Sequence, residues 1–239
     1  MEQTPSEAAA LLIVDVQYDF LPGGALAVPN GDDVLPVVRA LLKGKWNFVA
    51  ASQVGTYNSI YLVFTLPPGA ALHLRSSDDL TSVIQPLKHT HTHTQDYHPP
   101  GHVSFASTHG KEPFTTLDVP YPYAGKDGAP KTISQLLWPD HCIQGTHGAE
   151  IDETVLDALQ PWLDAGKGII VQKGTNPAVD AYSAFASTPG PGVPVPSTSL
   201  AASLRAHNIS TLYIAGLATD YCVRASALDA RSVELGLAH

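Results

Sequence analysis

Three residues with complementary chemistry each follow a short apolar run of this 239-residue chain: Asp15, Lys173 and Cys222. A carboxylate can accept a proton, an ammonium can stabilise a neighbouring anion, and a thiolate can attack a carbonyl carbon. Taken singly, each has a simpler interpretation, as a turn cap, a solvated lysine or an apolar filler. Cys222 lies in the first turn of the last predicted helix, where the helix dipole favours a thiolate. The three residues together predict a nucleophilic active site if the fold brings them to one place.

The hydrophobic pattern predicts a fold that does this. Apolar runs predict strands, and apolar residues at helical spacing predict helices between them. The predicted strands are residues 8–14, 46–52, 168–172 and 211–215, and the predicted helices are 34–42, 155–163, 200–207 and one starting near 220. Alternating strands and helices predict an α/β three-layer sandwich, with a mainly parallel sheet and helices on both faces. Such sheets bind ligands beyond the carboxyl ends of their strands, which is where Asp15, Lys173 and Cys222 fall.

Composition narrows the class of partner and the compartment. The formal charge of −9, with only 13 basic residues, argues against a nucleic-acid or anionic-membrane surface. Apolar runs are too short to span a bilayer, and two cysteines in unrelated contexts predict free thiols in a reducing compartment. We therefore expect one domain over residues 1–239 in a soluble, cytoplasmic protein, with the nucleus and the peroxisome as alternatives.

Several segments resemble the signature stretches of the isochorismatase-like cysteine hydrolases, which have a Rossmann-like topology. These segments are residues 13–17, 19–20, 172–174 and 216–223. The resemblance implies that Asp15 accepts the thiol proton and passes it to the leaving ammonia. It further implies that Lys173 holds the Asp–Cys pair and that Cys222 attacks a carboxamide carbon to form a thioester, which water hydrolyses.

The same resemblance implies an oxyanion hole. In this family a cis peptide precedes the residue that matches Ala218. The backbone N–H groups of Ala218 and Cys222 would then face the developing oxyanion.

Two further motifs predict a metal site. Asp96 and His98 are two residues apart, so an extended segment points both side chains to one side. This spacing alone is weak, but residues 96–98 and 138–142 are similar to the ligand motifs of the nicotinamidase branch of the family, in particular its eukaryotic, fungal type. The implied ligands are Asp96, His98 and His141, with His102 as an additional ligand in some relatives. One carboxylate and two imidazoles suit Zn²⁺, with Mn²⁺ or Fe²⁺ as alternatives.

Three aromatic residues match positions that surround the substrate ring in relatives, namely Phe20, Trp138 and Tyr182. Ordinary core packing is the alternative interpretation. The resemblance implies metal-assisted hydrolysis of nicotinamide to nicotinate and ammonia, a step of NAD salvage. The metal would anchor the ring nitrogen. The expected partner is the small-molecule substrate, and a homo-oligomer is an open alternative to a monomer.

The chain departs from the family pattern in two places. Residues 54–95 separate the predicted strand 46–52 from the ligand motif, and they include an alternating His-Thr tract that is typical of a low-complexity repeat. We interpret this segment as a non-family insertion, either a retained in-frame intron or a true surface insertion. Beyond residue 231 the closing strand of the family is expected to be missing, which would uncover apolar surface.

Two other functions remain open from the sequence. One is a metal-independent hydrolase of the same superfamily that acts on another amide or on a vinyl ether. The other is an inactive chain from a mis-spliced or truncated gene. Metal analysis and ammonia release from nicotinamide test the first. The second is tested by comparing the activity of this chain with that of a chain that lacks residues 54–95 and carries a restored C-terminus.

Overall fold

The computed structural model describes residues 9–43, 62–64, 89–122, 131–185, 200–209 and 211–232. Seven strands and four α-helices lie in these residues. The strands are β1 (Ala9–Val14), β2 (Leu62–Phe64), β3 (His89–Asp96), β4 (Thr116–Tyr121), β5 (Lys131–Leu136), β6 (Gly168–Lys173) and β7 (Thr211–Gly216). The helices are α1 (Val34–Lys43), α2 (Glu153–Asp164), α3 (Leu200–Ala206) and α4 (Arg224–Ser232).

Five strands form one sheet in the order β2-β7-β1-β3-β6. β1, β3, β6 and β7 run parallel, and β2 joins β7 antiparallel. β1 is central and every one of its residues is buried, which is why its sequence is apolar without alternation. Leu11 and Ile13 pack with α1 and α2 on one face, whereas Leu12 and Val14 pack with α3 and α4 on the other. The predicted α/β fold, with helices on both faces of a mainly parallel sheet, is confirmed.

The register of the sheet sets the positions of the chemistry. Val14, the last residue of β1, pairs with Thr94 of β3 and with Gly216 of β7. Asp96 at the end of β3 pairs with Lys173 at the end of β6. The carboxyl ends of these four strands therefore bring acidic, basic and thiol side chains to one edge of the sheet.

β3 differs from the sequence-based expectation. The predicted strand 46–52 lies outside the described residues, and the structure places residues 89–95, within the predicted insertion, in the strand beside β1. The physical reason is that Thr is β-branched and the His-Thr tract alternates with the period of a strand, so a tract that resembles a low-complexity repeat also fits a pleated sheet. The predicted loss of the closing strand concerns residues 233–239, which also lie outside the described residues.

A two-stranded antiparallel sheet, β4 with β5, was not predicted. Trp138 follows the end of β5 by two residues and lies near the carboxyl edge of the main sheet. Trp138 N donates to Ser104 O at 2.8 Å, and Trp138 O accepts from Ala106 N at 2.9 Å. Among the helices that the structure describes, none has both the length and the apolar character needed to cross a bilayer.

Candidate active site

The three predicted catalytic side chains meet at the carboxyl edge of the sheet. Lys173 Nζ lies 2.8 Å from Asp15 Oδ2 and 3.3 Å from Cys222 Sγ. Asp15 and Lys173 are fully enclosed, and Cys222 retains 6% of its surface. An acid, a cation and a thiol in mutual contact can transfer a proton from the thiol and stabilise the resulting anion.

Local backbone geometry aims these side chains. Asp15 follows β1 with φ of +49°, so the chain turns sharply where the strand ends. Cys222 lies in a single π-helical turn, Thr219–Val223, that leads into α4. The Leu217–Ala218 peptide is cis, as the family resemblance implies. Gly216, at φ of +137°, has no room for a side chain, because a Cβ there would overlap the Val14 backbone.

Burial dominates the electrostatics of this group. It raises the pKa of Cys222 well above its usual value despite the nearby Lys173, and it raises the pKa of Asp15 as well. Burial alone would lower the pKa of Lys173, but Asp15 and Asp96 together hold it well above its usual value. At neutral pH the lysine is therefore charged and Cys222 carries its proton.

The predicted metal ligands Asp96, His98 and His141 also converge. Their ligand atoms lie within 4.8 Å of one another, and all three residues are buried. His98 Nε2 is 3.0 Å and His141 Nε2 is 3.4 Å from Asp96 Oδ2.

The orientation of the two imidazoles suits a cation. His98 Nδ1 lies 3.0 Å from Gly174 O, and His141 Nδ1 lies 2.8 Å from Pro139 O. Because a carbonyl oxygen only accepts, each Nδ1 must carry a hydrogen, so in the neutral imidazoles the Nε2 lone pairs would face the cluster and be available to a cation. One carboxylate and two such nitrogens are a donor set that a divalent cation of zinc type prefers.

Asp96 connects the two groups of side chains. Its Oδ2 faces the two histidines, and its Oδ1 lies 3.2 Å from Lys173 Nζ. Burial alone would raise the pKa of Asp96, but Lys173 and His98 bring it well below its usual value. Gly174 follows Lys173 with φ of +66°, and its lack of a side chain makes room for the His98 ring, which a Cβ there would contact.

His102 does not join the group formed by Asp96, His98 and His141. Its Nδ1 lies 2.8 Å from Ser104 Oγ and its Nε2 lies 3.3 Å from Val179 O, while the ring stacks on His98 with centroids 4.1 Å apart. It belongs to a second group, with His98 and Asp180. Burial and the neighbouring His98 lower the pKa of His102 to about 4. In this conformation both ring nitrogens face protein partners.

Aromatic side chains cover one side of the site. Phe20 lies against His141 with ring centroids 5.7 Å apart, and Trp138 Nε1 donates to Tyr182 Oη at 3.1 Å. Phe20 thus borders the histidines, and the rings of Trp138 and Tyr182 both contact that of Tyr221, next to Cys222. Tyr221 was missed, although it directly precedes Cys222: its ring contacts Trp138 edge-on at 4.9 Å and retains 41% of its surface.

With this geometry in place, similarity to known proteins assigns the class. The Isochorismatase domain family matches residues 92–235, more than half of the chain. The chain belongs to this family.

Particular relatives narrow the class to one branch. The nicotinamidase of Acinetobacter baylyi is 34% identical over 228 residues, which are 95% of this chain and 76% of the relative. The solved structure of the yeast nicotinamidase superposes with a TM-score of 0.64 at 26% identity, covering 94% of this chain and 82% of that one. The pyrazinamidase of Pyrococcus horikoshii, solved in complex with zinc, gives a TM-score of 0.52 at 28% identity, covering 94% and 78%.

Proposed function

We propose that this protein hydrolyses nicotinamide to nicotinate and ammonia. The observation that carries the proposal is the contact of Lys173 Nζ with both Asp15 Oδ2, at 2.8 Å, and Cys222 Sγ, at 3.3 Å. This group suits attack on a carboxamide, and the relatives that match most of the chain are nicotinamidases.

The proposed reaction begins with proton transfer from the Cys222 thiol to Asp15. The thiolate attacks the carboxamide carbon, and Lys173 stabilises the negative charge that builds up among the three side chains. The backbone N–H groups of Ala218 and Cys222 stabilise the oxyanion. When the C–N bond breaks, Asp15 returns the proton to the leaving nitrogen, which departs as ammonia. Water then attacks the thioester, Asp15 takes one of its protons, and nicotinate leaves as the thiol reforms.

The residues Asp96, His98 and His141 would hold a divalent cation, and we propose zinc. When bound, such a cation supplies a coordination site for the pyridine nitrogen, so that the carboxamide is placed beside Cys222. Phe20, Trp138 and Tyr182 pack against the ring. A cation bound there would favour aromatic carboxamides with a ring nitrogen, because a ring without that nitrogen offers it no ligand atom.

A coupled ammonia assay tests the proposal. The wild-type chain should release ammonia from nicotinamide and lose this activity in the presence of a strong chelator, and added zinc should restore it. Cys222→Ala should reduce ammonia release to background, since it removes the nucleophile. Cys142→Ala is the matched control, because the Cys142 thiol packs in the core on the α1–α2 face. Ammonia release by Cys222→Ala at the wild-type rate would disprove the mechanism.

Metal content and substrate preference distinguish the proposed nicotinamidase from the alternative hydrolase. An enzyme that holds no metal by elemental analysis and releases no ammonia from nicotinamide, but hydrolyses another amide or a vinyl ether, would be the metal-independent alternative left open by the sequence. Cytoplasmic localisation and the oligomeric state stay predictions.

A further inference from the structure

The Gln17 side chain makes three hydrogen bonds next to the two reactive clusters, and the mechanism above does not use it. Gln17 is completely buried. Its Nε2 donates to Asp96 O at 2.8 Å and to Ala149 O at 2.9 Å, and its Oε1 accepts from Asp96 N at 2.7 Å. Both amide hydrogens and the carbonyl oxygen therefore have backbone partners.

The reason for this arrangement lies in the way β1 ends. The β1–β3 ladder runs in register up to Val14 and Thr94. Asp15 then turns away at φ of +49°, which directs its carboxylate to Lys173. The turn leaves the N–H and C=O of Asp96 without a β1 neighbour. The Gln17 amide bonds to both groups, so it acts as one more peptide unit of the ladder.

The same amide also holds the segment that carries His141. Cys142 N donates to Asp19 Oδ2 at 2.6 Å, and His98 exchanges backbone hydrogen bonds with Cys142 O and Gln144 N on this segment. The segment reaches Ala149, whose carbonyl oxygen accepts from Gln17 Nε2. Gln17 thus fastens the backbone of one proposed ligand, Asp96, to the far end of the segment that presents another.

We propose that Gln17 is a positioning residue for the cation site, setting the place of Asp96 relative to His141. This inference rests on the proposed function only through the proposed cation. Loss of the hydrogen bonds that orient ligand side chains typically lowers metal affinity about 10-fold to 100-fold, and we expect the same scale for Gln17, which holds the backbone of a ligand. The two donor bonds are essential to the proposal, since both receiving atoms are carbonyl oxygens that only accept.

The experiment compares zinc affinity, measured in the full chain by competition with a chromophoric chelator, in the wild type and two variants. Gln17→Met keeps the side-chain length without polar atoms. Gln17→Glu keeps the shape and the acceptor for Asp96 N but places an oxygen against Asp96 O and Ala149 O. Both should bind zinc about 10-fold to 100-fold more weakly than the wild type. Gln160→Met, an exposed glutamine on α2, is the matched control and should leave zinc affinity unchanged.

Thermal unfolding of the metal-free proteins and the kinetics with nicotinamide separate positioning from a general role in folding. At fixed zinc, KM should rise more than kcat falls, because the cation anchors the substrate. Wild-type zinc affinity in both variants, even with a lowered melting temperature, would overturn the proposal, and so would failure of both variants to fold. A wild-type chain that binds no zinc would overturn it together with the proposed cation. If the wild-type chain does not hydrolyse nicotinamide but both variants bind zinc more weakly, the role of Gln17 is supported and only the proposed function is disproved.

Discussion

Replacing Lys173 by methionine removes the cation between two buried carboxylates while preserving most of the side-chain volume. The ammonium lies 2.8 Å from Asp15 Oδ2 and 3.2 Å from Asp96 Oδ1, and these side chains are almost fully enclosed. At an effective dielectric constant of about 20, each attraction is roughly 5 kcal/mol before desolvation is subtracted. Removing one partner of a buried pair typically costs about 3–5 kcal/mol. We expect the free energy of unfolding of the metal-free protein to fall by about this amount at pH 8.

The loss of stability in Lys173→Met should depend on pH in a definite direction. Without the ammonium, burial and repulsion from Asp96 keep the pKa of Asp15 above its unfolded value, and Asp96 loses the charge that most lowers its own pKa. At pH values where Asp15 is still protonated in the folded variant but ionised in the unfolded chain, the folded state binds more protons. The free energy of unfolding of the variant therefore falls as pH rises through this range. The defect should therefore be smaller at pH 5 than at pH 8.

Urea unfolding in the presence of a chelator measures both effects. Lys173→Met combined with Asp15→Asn should regain about 1 kcal/mol or more over Lys173→Met alone, because only one carboxylate is then left without its cation. Lys167→Met, at an exposed position just before β6, is the matched control and should change stability by less than about 0.5 kcal/mol. A Lys173→Met chain within about 1 kcal/mol of the wild type at pH 8, or one with an equal defect at both pH values, would refute the reasoning.

Three further predictions concern neighbouring features. Gly174→Ala should lower the free energy of unfolding by about 1–2 kcal/mol, because φ of +66° disfavours a side chain. It should also weaken zinc binding, because the added Cβ contacts the His98 ring. Urea unfolding measures the first effect and chelator competition the second, and unchanged zinc affinity would contradict the second. Alkylation of Cys222 by iodoacetamide in the metal-free protein should accelerate throughout the alkaline range, because burial raises the thiol pKa; a rate that levels off below pH 8 would argue against a buried neutral thiol. Trp138→Phe removes the hydrogen bond to Tyr182, worth about 0.5–1.5 kcal/mol, so KM for nicotinamide should rise with little change in kcat; steady-state kinetics with an equal fall in kcat would contradict a binding role.

The strands that present the catalytic side chains were predictable because each is a short, mainly apolar run, fully buried in β1, largely buried in β7 and only partly buried in β6. Predictions at 8–14, 168–172 and 211–215 agree to within one residue at each end with β1, β6 and β7. Two-sided burial selects continuous apolar runs, and this signal is local in sequence. The positions of Asp15 and Lys173 at one edge followed from the parallel topology alone.

Features that depend on distant residues were not predictable in the same way. The Gln17 amide bonds to Asp96, which is 79 positions away, and nothing around residue 17 reports that contact. β3 escaped prediction because alternating His and Thr lack the apolar face that marks a half-buried strand. The β4–β5 pair escaped for a related reason, since most of its residues stay exposed or half-buried and leave a weak pattern.

Asp96 has a consequence for engineering new specificity into this scaffold. One of its oxygens serves the imidazoles and the other serves the lysine, so a single codon controls two tasks that could otherwise be varied independently. A library that diversifies the proposed metal ligands to admit other heterocycles should keep residue 96 fixed and vary positions 98 and 141. Changes at residue 96 would be scored as failures of recognition even where the damage lies in the chemistry.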